Sequence, residues 1–460
     1  MTPVETLRGA KIALFGLGGS GNATLRALVA GGAEVAAWDD SEAARARSSA
    51  AGFGLVDLAV SDWTGFKLLV LSPGVPLTHP EPHWTVKRAH AAGVPVVGDI
   101  ELFARERKAR APHAPFVAIT GTNGKSTTTA LIAHVLEEAG RDVALGGNIG
   151  VPALDLPPPA DGRAHVLECS SYQIDLAPSL APTVGLLINI TPDHLDRHGD
   201  LAGYAAVKER LVAGAEIALV GVDDAPSRAI AARLADGPGR RVVTVSGGVS
   251  PLADVFVEGH RIVSRDSAEP PVDLKNARAL RGAHNGQNAA FAYAAATALG
   301  VARADIARAF ETFPGLAHRM EEVGRRGKVL FVNDSKATNA DAAEKALLSF
   351  RDIFWILGGK AKAGGVEPLR PLFSRVAKAY LIGAAANDFA ATLEGAVPFE
   401  QCGTLSRALE AAARDAVRST AAEPVVLLSP ACASFDQFAN FEARGDAFRS
   451  EVHFLLNGEP

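Results

Sequence analysis

The stretch from Phe116 to Gly140, FVAITGTNGKSTTTALIAHVLEEAG, constrains the fold more than any other part of this chain. An apolar run, a turn ending in Gly124-Lys125-Ser126 and a long helix-like stretch stand in the order strand, loop, helix. That order brings backbone amides and a positive helix end to a phosphate, with Lys125 reaching the β and γ phosphates and the Ser126 hydroxyl suited to ligating Mg²⁺. Gly121, Thr122, Asn123, Gly124, Lys125, Ser126 and Thr127 are therefore the expected ATP-binding loop. The usual pattern G-x-x-x-x-G-K-[ST] has a glycine where this chain has Ile119, so a shorter loop is expected than in the common nucleotide hydrolases.

A strand–loop–helix unit of this kind belongs in a parallel sheet with crossover helices, and the rest of the chain alternates in the same way. KIALFGLG, EVAAWDD, KLLVLSPG and PVVGDI read as strands separated by Ala-rich helical stretches. RERKARAPHAP, charged and proline-containing, reads as a linker. HVLECS, TVGLLINIT and IALVGV follow the phosphate loop, and ALRGAHNGQNAAFAYAAATALG reads as an apolar helix. After the turn FPGLAHR come VLFVNDS, DIFWILGG, AYLIGAA and PVVLLSP. A length of 460 residues suits about three domains. The expected fold is α/β in three domains: a Rossmann-like domain at 1–107, a central P-loop ATPase-like domain with a mostly parallel sheet at 108–314, and a Rossmann-like α/β domain at 315–460.

Composition narrows the function classes. The longest apolar runs are strand-length, well short of the roughly 20 residues of a membrane span, and Lys11 interrupts any leader-like start, so a soluble cytoplasmic protein is expected. Cys169, Cys402 and Cys432 lack metal or redox spacing and read as buried free thiols. A net charge of -5 without a basic block argues against nucleic acid as a partner.

Three further features bear on chemistry. GLGGSG matches G-x-G-x-x-G at Gly16, Gly18 and Gly21, with Asp39 and Asp40 at the end of the next strand. Such a turn fits a dinucleotide, any other nucleoside diphosphate, or tight strand–helix packing. SPGVP, Ser72 to Pro76, reads as a second ligand-facing loop. Downstream of the phosphate loop, Glu168, His194 and Lys208 together suggest groups that bind or orient Mg²⁺ beside ATP. Each alone has a blander reading as a solvated acid, a structural histidine or a paired lysine.

Taken together, TGTNGKST, ECSSYQID, NITPDHLDRH, HNGQN, GLAHRME, NDSKATN and LLSPACASFDQF closely resemble the Mur ligases of bacterial cell-wall synthesis, over about residues 11–450. The resemblance implies an ATP-dependent amide-forming ligase that phosphorylates a carboxylate and lets an amine displace the phosphate. Its implied substrates are UDP-N-acetylmuramoyl-L-alanine and D-glutamate, with two Mg²⁺ ions, and a monomer is expected. By this resemblance residues 1–107 hold the UDP-substrate, 108–314 hold ATP and 315–460 hold the amino acid. Lys125 and Ser126 would handle the ATP phosphates and the first Mg²⁺ with Glu168 nearby, and His194 would ligate the second. Lys208 matches a lysine carbamylated by CO₂ to give an anionic metal ligand; a plain Lys208 paired with Glu209 or Asp193 is the alternative. Asn285 and Asn288 match positions near the nucleotide, or cap the Ala-rich helix. His318, Arg319, Asp334 and Lys336 match further ATP contacts. Thr338, Lys362, Ser434 and Phe441 match the D-glutamate pocket. Gly19, Ser20 and Asp39 match the uridine-diphosphate site, with Asn148 and Ser170 toward the rest of that substrate. The chain departs from the pattern at Asp40 and Ser41, where a Thr-Arg pair is expected.

Overall fold

The computed structural model describes residues 1–237, 241–265, 267, 269–361 and 364–458. It is α/β throughout, and it divides into two compact units: Met1–Asn276 with Ala283–Glu311, and Ala277–Gly282 with Thr312–Pro460.

The first unit holds two sheets. One contains β1 (Lys11–Phe15), β2 (Glu34–Trp38), β3 (Leu68–Leu71) and β4 (Val96–Val97) in the order β2-β1-β3-β4, all parallel. The order reverses between β1 and β3, so the loops after these two strands open side by side; this is where nucleotides bind in such sheets. Close approach explains two glycines of the first loop. A Cβ on Gly21 would collide with the Gly16 carbonyl, and one on Gly16 would lie 2.6 Å from Ser72 Cβ. Ser72 instead donates to the Gly16 carbonyl at 2.8 Å, locking the two loops together.

The second sheet contains β5 (Phe116–Thr120), β6 (Asp142–Gly147), β7 (Arg163–Glu168), β8 (Val184–Leu187), β9 (Ile217–Gly221), β10 (Arg241–Ser246), β11 (Val255–Glu258), β12 (Arg261–Ser264) and β13 (Val272–Asp273). Its order is β13-β12-β11-β10-β9-β8-β5-β7-β6, parallel from β6 to β11 and antiparallel at the β11-β12 and β12-β13 pairs. All five residues of β5 are buried, as expected of a strand covered by helices on both faces.

RERKARAPHAP is not a free linker. Its first half completes the helix Asp99–Arg110, and Glu106 and Arg107 are buried. Glu106 accepts from the Thr6 amide at 2.7 Å, while Arg107 donates to the Ala114 carbonyl at 2.7 Å and to Thr183 Oγ1 at 3.1 Å. A charged segment can be buried when each polar group finds a partner, and composition does not reveal the partners. Phe103 on this helix meets Phe116 edge-on at 5.5 Å, so one continuous core underlies both sheets of the unit.

The second unit holds one sheet of β14 (Glu321–Arg326), β15 (Val329–Asn333), β16 (Ile353–Gly358), β17 (Val376–Ile382), β18 (Phe399–Gly403) and β19 (Val425–Leu428). Its order is β14-β15-β19-β16-β17-β18, parallel except at the β14 edge. Buried apolar residues cover both faces. The three cysteines are buried and free. Among the described residues no helix is long and apolar enough to cross a membrane.

Candidate functional site

The phosphate loop leaves β5, an interior strand of the large sheet flanked by β7 and β8. Gly124 has φ +83° and caps the helix Lys125–Glu138. A Cβ there would collide with Asn288 Oδ1, so the position demands glycine for both conformation and space. Thr128 Oγ1 donates to the same Asn288 oxygen at 3.2 Å, and Asn288 Nδ2 donates to Asn285 Oδ1 at 3.0 Å. Asn288 lies in the interior of the helix Ala283–Ala298, where it buttresses the back of the loop and does not cap. The front is braced by Asn189, just after β8. The Thr122 amide donates to its carbonyl and the Asn123 amide to its side chain, both at 2.9 Å. Asn189 in turn donates to Gln287 at 3.1 Å.

Lys125 folds its ammonium onto the carbonyls of Gly121 and Thr122, both at 2.9 Å. Lys208, on the helix Leu201–Ala213, donates to the same Gly121 carbonyl at 2.9 Å and to Thr120 Oγ1 at 3.1 Å, over the face of Tyr204. Lys208 is 1% exposed. Burial, and then the neighbouring Lys125 cation, hold its amine well below the usual lysine range. The pairing with Glu209 is not formed, since Glu209 binds Arg233; Asp193 acts on Lys208 only as a nearby charge.

Glu168 ends β7 with one oxygen accepting from Asn148 Nδ2 at 2.7 Å. The Asn148 amide also donates to the Glu168 carbonyl at 2.9 Å, so Asn148 fixes this residue twice. The other carboxylate oxygen is buried without a hydrogen-bond partner. An acceptor-only oxygen left bare in the interior calls for a cation, and it fits Mg²⁺. Among the described residues no three His, Cys, Asp or Glu side chains form a metal cluster by themselves. His194 precedes the short helix Leu195–His198 at φ +52°, a backbone conformation unfavourable for a side-chain-bearing residue. It is exposed, 3.4 Å from Asp193 and 5.1 Å ring to ring from Tyr172.

A cleft of ≈ 450 Å³, lined by loops of the first sheet and by residues that follow β6 and β7, gathers Gly19, Ser20, Asp39 and Asn148, together with Ser72 of the SPGVP loop and Gln173, which the sequence reading did not single out. Asp39 accepts from the Leu17 amide at 2.6 Å and the Ser41 amide at 2.8 Å, shaping the glycine turn. Asp40 lies 3.2 Å from both His83 Nε2 and Trp84 Nε1. Ser170 caps the helix Ser171–Asp175 by accepting from the Gln173 amide. Arg197 donates to the Gly74 and Val75 carbonyls at 3.0 Å and stacks on Tyr172, tying the SPGVP loop to the His194 segment.

The second unit gathers its own group at the carboxyl ends of β15, β16 and β19. Asp334 is buried, accepting from Ser429 Oγ at 2.8 Å and the Met320 amide at 3.3 Å. Burial pushes its carboxyl up to about 7. His318, at φ +63°, packs against Gly445, where a Cβ would collide with its ring, and lies 3.1 Å from Asn333 Nδ2. Lys336 sits 3.8 Å over the Phe441 ring. Arg319 is exposed, Thr338 half-buried and Ser434 buried. Lys362 lies outside the described residues. Sequence reasoning also passed over Arg444, a buried guanidinium whose Nη2 donates to the carbonyls of Ser335 at 2.8 Å and Cys432 at 3.1 Å. Gln173 and Ser429 each stand inside a quoted motif, which was the available signal.

The chain matches the Mur ligase middle domain over residues 119–296 and the Mur ligase glutamate ligase domain over 318–432. It is 60% identical over 457 residues to the UDP-N-acetylmuramoylalanine--D-glutamate ligase of Rhizobium etli, covering 99% of this chain and 97% of that protein. The chain belongs to the Mur ligase family. The Nitrobacter hamburgensis protein of the same name is 60% identical over 466 residues, covering 100% of both. Among solved structures, the UDP-N-acetylmuramate-alanine ligase of Thermotoga maritima superposes on this Mur ligase with a TM-score of 0.60 at 18% identity, covering 98% of this chain and 100% of that one. A UDP-N-acetylmuramoyl-L-alanyl-D-glutamate--2,6-diaminopimelate ligase gives 0.58 at 18% identity, covering 85% and 93%. At such identities these two speak for the fold alone.

Proposed function

We propose that this Mur ligase joins D-glutamate to UDP-N-acetylmuramoyl-L-alanine at the expense of ATP, in the cytoplasm and as a monomer, for peptidoglycan precursor synthesis. Residues 1–107 hold the UDP-substrate, 108–314 ATP and 315–460 the amino acid. The observation that carries this reading is the convergence of the braced phosphate loop, the bare Glu168 oxygen and the buried Lys208 amine at the carboxyl ends of β5, β7 and β8. The names of the full-length relatives supply the substrates.

Gly121–Thr127 cradle the ATP phosphates, and Lys125 leaves its loop carbonyls to neutralise the γ phosphate. The alanyl carboxylate attacks that phosphorus in line, ADP leaves, and the acyl phosphate forms. The amine of D-glutamate, held by Thr338, Lys362, Ser434 and Phe441, then attacks the acyl carbon and expels phosphate, losing its proton to a nearby group, or to His194 in a state where that imidazole does not ligate Mg²⁺. Two Mg²⁺ ions, held by Ser126, Glu168, His194 and Lys208, would supply charge stabilisation to the phosphoryl oxygens when bound. For Lys208 to serve, its neutral amine adds to CO₂ and releases one proton, giving an anionic carbamate; the depressed basicity of the buried amine favours the form that reacts. Asn285, Asn288, His318, Arg319, Asp334 and Lys336 complete the ATP site in this reading, and Asn148 and Ser170 the UDP-substrate site.

The test is phosphate release from ATP and Mg²⁺ with UDP-N-acetylmuramoyl-L-alanine across a panel of amino acids. Release with D-glutamate and not with L-glutamate is expected. Release with another amino acid alone would overturn the pocket assignment.

A further inference from the structure

Asp99 has no part in the reading above. It opens the helix Asp99–Arg110, is 3% exposed, and stands behind the ≈ 450 Å³ cleft without lining it. One of its oxygens accepts from the Ile100 amide at 2.9 Å. The other accepts from two side chains that do line the cleft: Ser20 Oγ at 2.7 Å and Gln173 Nε2 at 3.3 Å. Ser20 belongs to the glycine turn after β1, and Gln173 to the short helix after β7, the strand that ends in Glu168.

Both side chains turn their donors away from the cleft, toward Asp99. The carbonyl end of Gln173 already accepts from the Ser170 amide and hydroxyl, both at 3.1 Å, so its amide nitrogen is turned back toward Asp99. The Ser20 hydroxyl has one proton, and spending it on Asp99 leaves only acceptor character toward the cleft. The backbone next door reinforces the join. The Gly98 amide donates to the Leu176 carbonyl at 2.8 Å, and a Cβ on Gly98 would lie 2.8 Å from Leu176 Cβ.

We propose that Asp99 is a positioning residue for the UDP-substrate: from behind the cleft it fixes the spacing of Ser20 and Gln173 and sets the hydrogen-bond polarity of Ser20 toward the ligand. It touches neither substrate nor ATP. A buried group that takes donors from two different elements lining a cleft governs their spacing as well as its chemistry, and small errors of placement are felt directly in binding.

The proposal rests on the cleft being the UDP-substrate site, and the experiment separates the two claims. Steady-state kinetics are run on wild type and Asp99→Asn, varying UDP-N-acetylmuramoyl-L-alanine, ATP and D-glutamate in turn. Wild-type turnover tests the function itself; its absence would sink both readings. Given turnover, Asp99→Asn keeps the size of the group but must turn its NH₂ either toward both side-chain donors or, flipped, toward the Ile100 amide. The expected result is about a tenfold rise in KM for the UDP-substrate, with kcat and the KM of ATP within about twofold of wild type. The added loss in Ser20→Ala/Asp99→Asn over Ser20→Ala alone should be small, since Asp99 acts in part through Ser20. A loss spread evenly over kcat and every KM, or an unchanged KM for the UDP-substrate, would overturn the assignment. Should Asp99→Asn not fold, Asp99→Ser is read against the same two outcomes.

Discussion

Lys208 shows how much a single side chain's surroundings add to its sequence. Seen in YAAVKERLV it is an ordinary helical lysine; in the fold it is buried, shares the Gly121 carbonyl with Lys125 and has lost basicity to both burial and that neighbour. Losing an outer partner of a metal ligand typically costs about 10–100-fold, so Lys208→Ala is expected to lower kcat by at least about 100-fold. Phosphate release measures this, and incorporation of ¹³C from labelled bicarbonate into wild type but not the variant checks the carbamate. Asp334 yields a second prediction. Its folded pKa of about 7 lies above the ordinary aspartate value of 3.8, so the folded form binds more protons between these values. Its contribution to stability is full below about pH 4 and is lost as pH rises through about 7. Asp334→Asn should therefore flatten the decline in Tm of the transition that melts Thr312–Pro460 between these pH values, as read by calorimetry.

At the scale of elements, the phosphate loop is held by parts distant in sequence. Asn189 braces its front and Asn288 its back. Gly124→Ala should strain a φ of +83° and press on Asn288, costing about 1–3 kcal/mol of stability and raising the KM for ATP at least about tenfold. A thermal-shift titration with ATP would show the loss. Arg197 offers a contrasting case, because it joins two loops without reaching the phosphate loop. Its three interactions with Gly74, Val75 and Tyr172 predict that Arg197→Ala raises the KM of the UDP-substrate several-fold and leaves that of ATP unchanged, which initial-rate kinetics can separate. Central strands such as β5, β8, β15, β16 and β19 were legible as apolar runs because helices cover both their faces. β6, β10 to β14 and β18 were not read as strands: they lie toward sheet edges and mix buried with exposed positions, so no continuous apolar run marks them.

For the whole molecule, the two compact units have separate cores, and the second takes in Ala277–Gly282 as well as Thr312–Pro460. Arg281 of that short segment pairs with Glu423 at 3.0 Å. Calorimetry should resolve two transitions. Leu381→Ala, in the buried core of the second unit, should lower one of them by the roughly 2–5 kcal/mol of a core truncation and leave the other in place. A uniform shift of a single transition would contradict this.

The sequence by itself determined the α/β class, the central strands, the phosphate loop and the family, because these depend on local order: apolar runs, glycine spacing and short motifs read within one element. Tertiary structure decided what those motifs do. It turned RERKARAP from an expected linker into the end of a helix with two buried charged residues, gave Asn288 a buttressing role in place of a cap, left one Glu168 oxygen bare and lowered the basicity of the buried Lys208. Such properties arise from partners tens of residues away, Asn288 to Thr128 or Asp99 to Ser20, and from the removal of water. Desolvation and long-range hydrogen bonding belong to the assembled environment and are written in no single stretch of the chain.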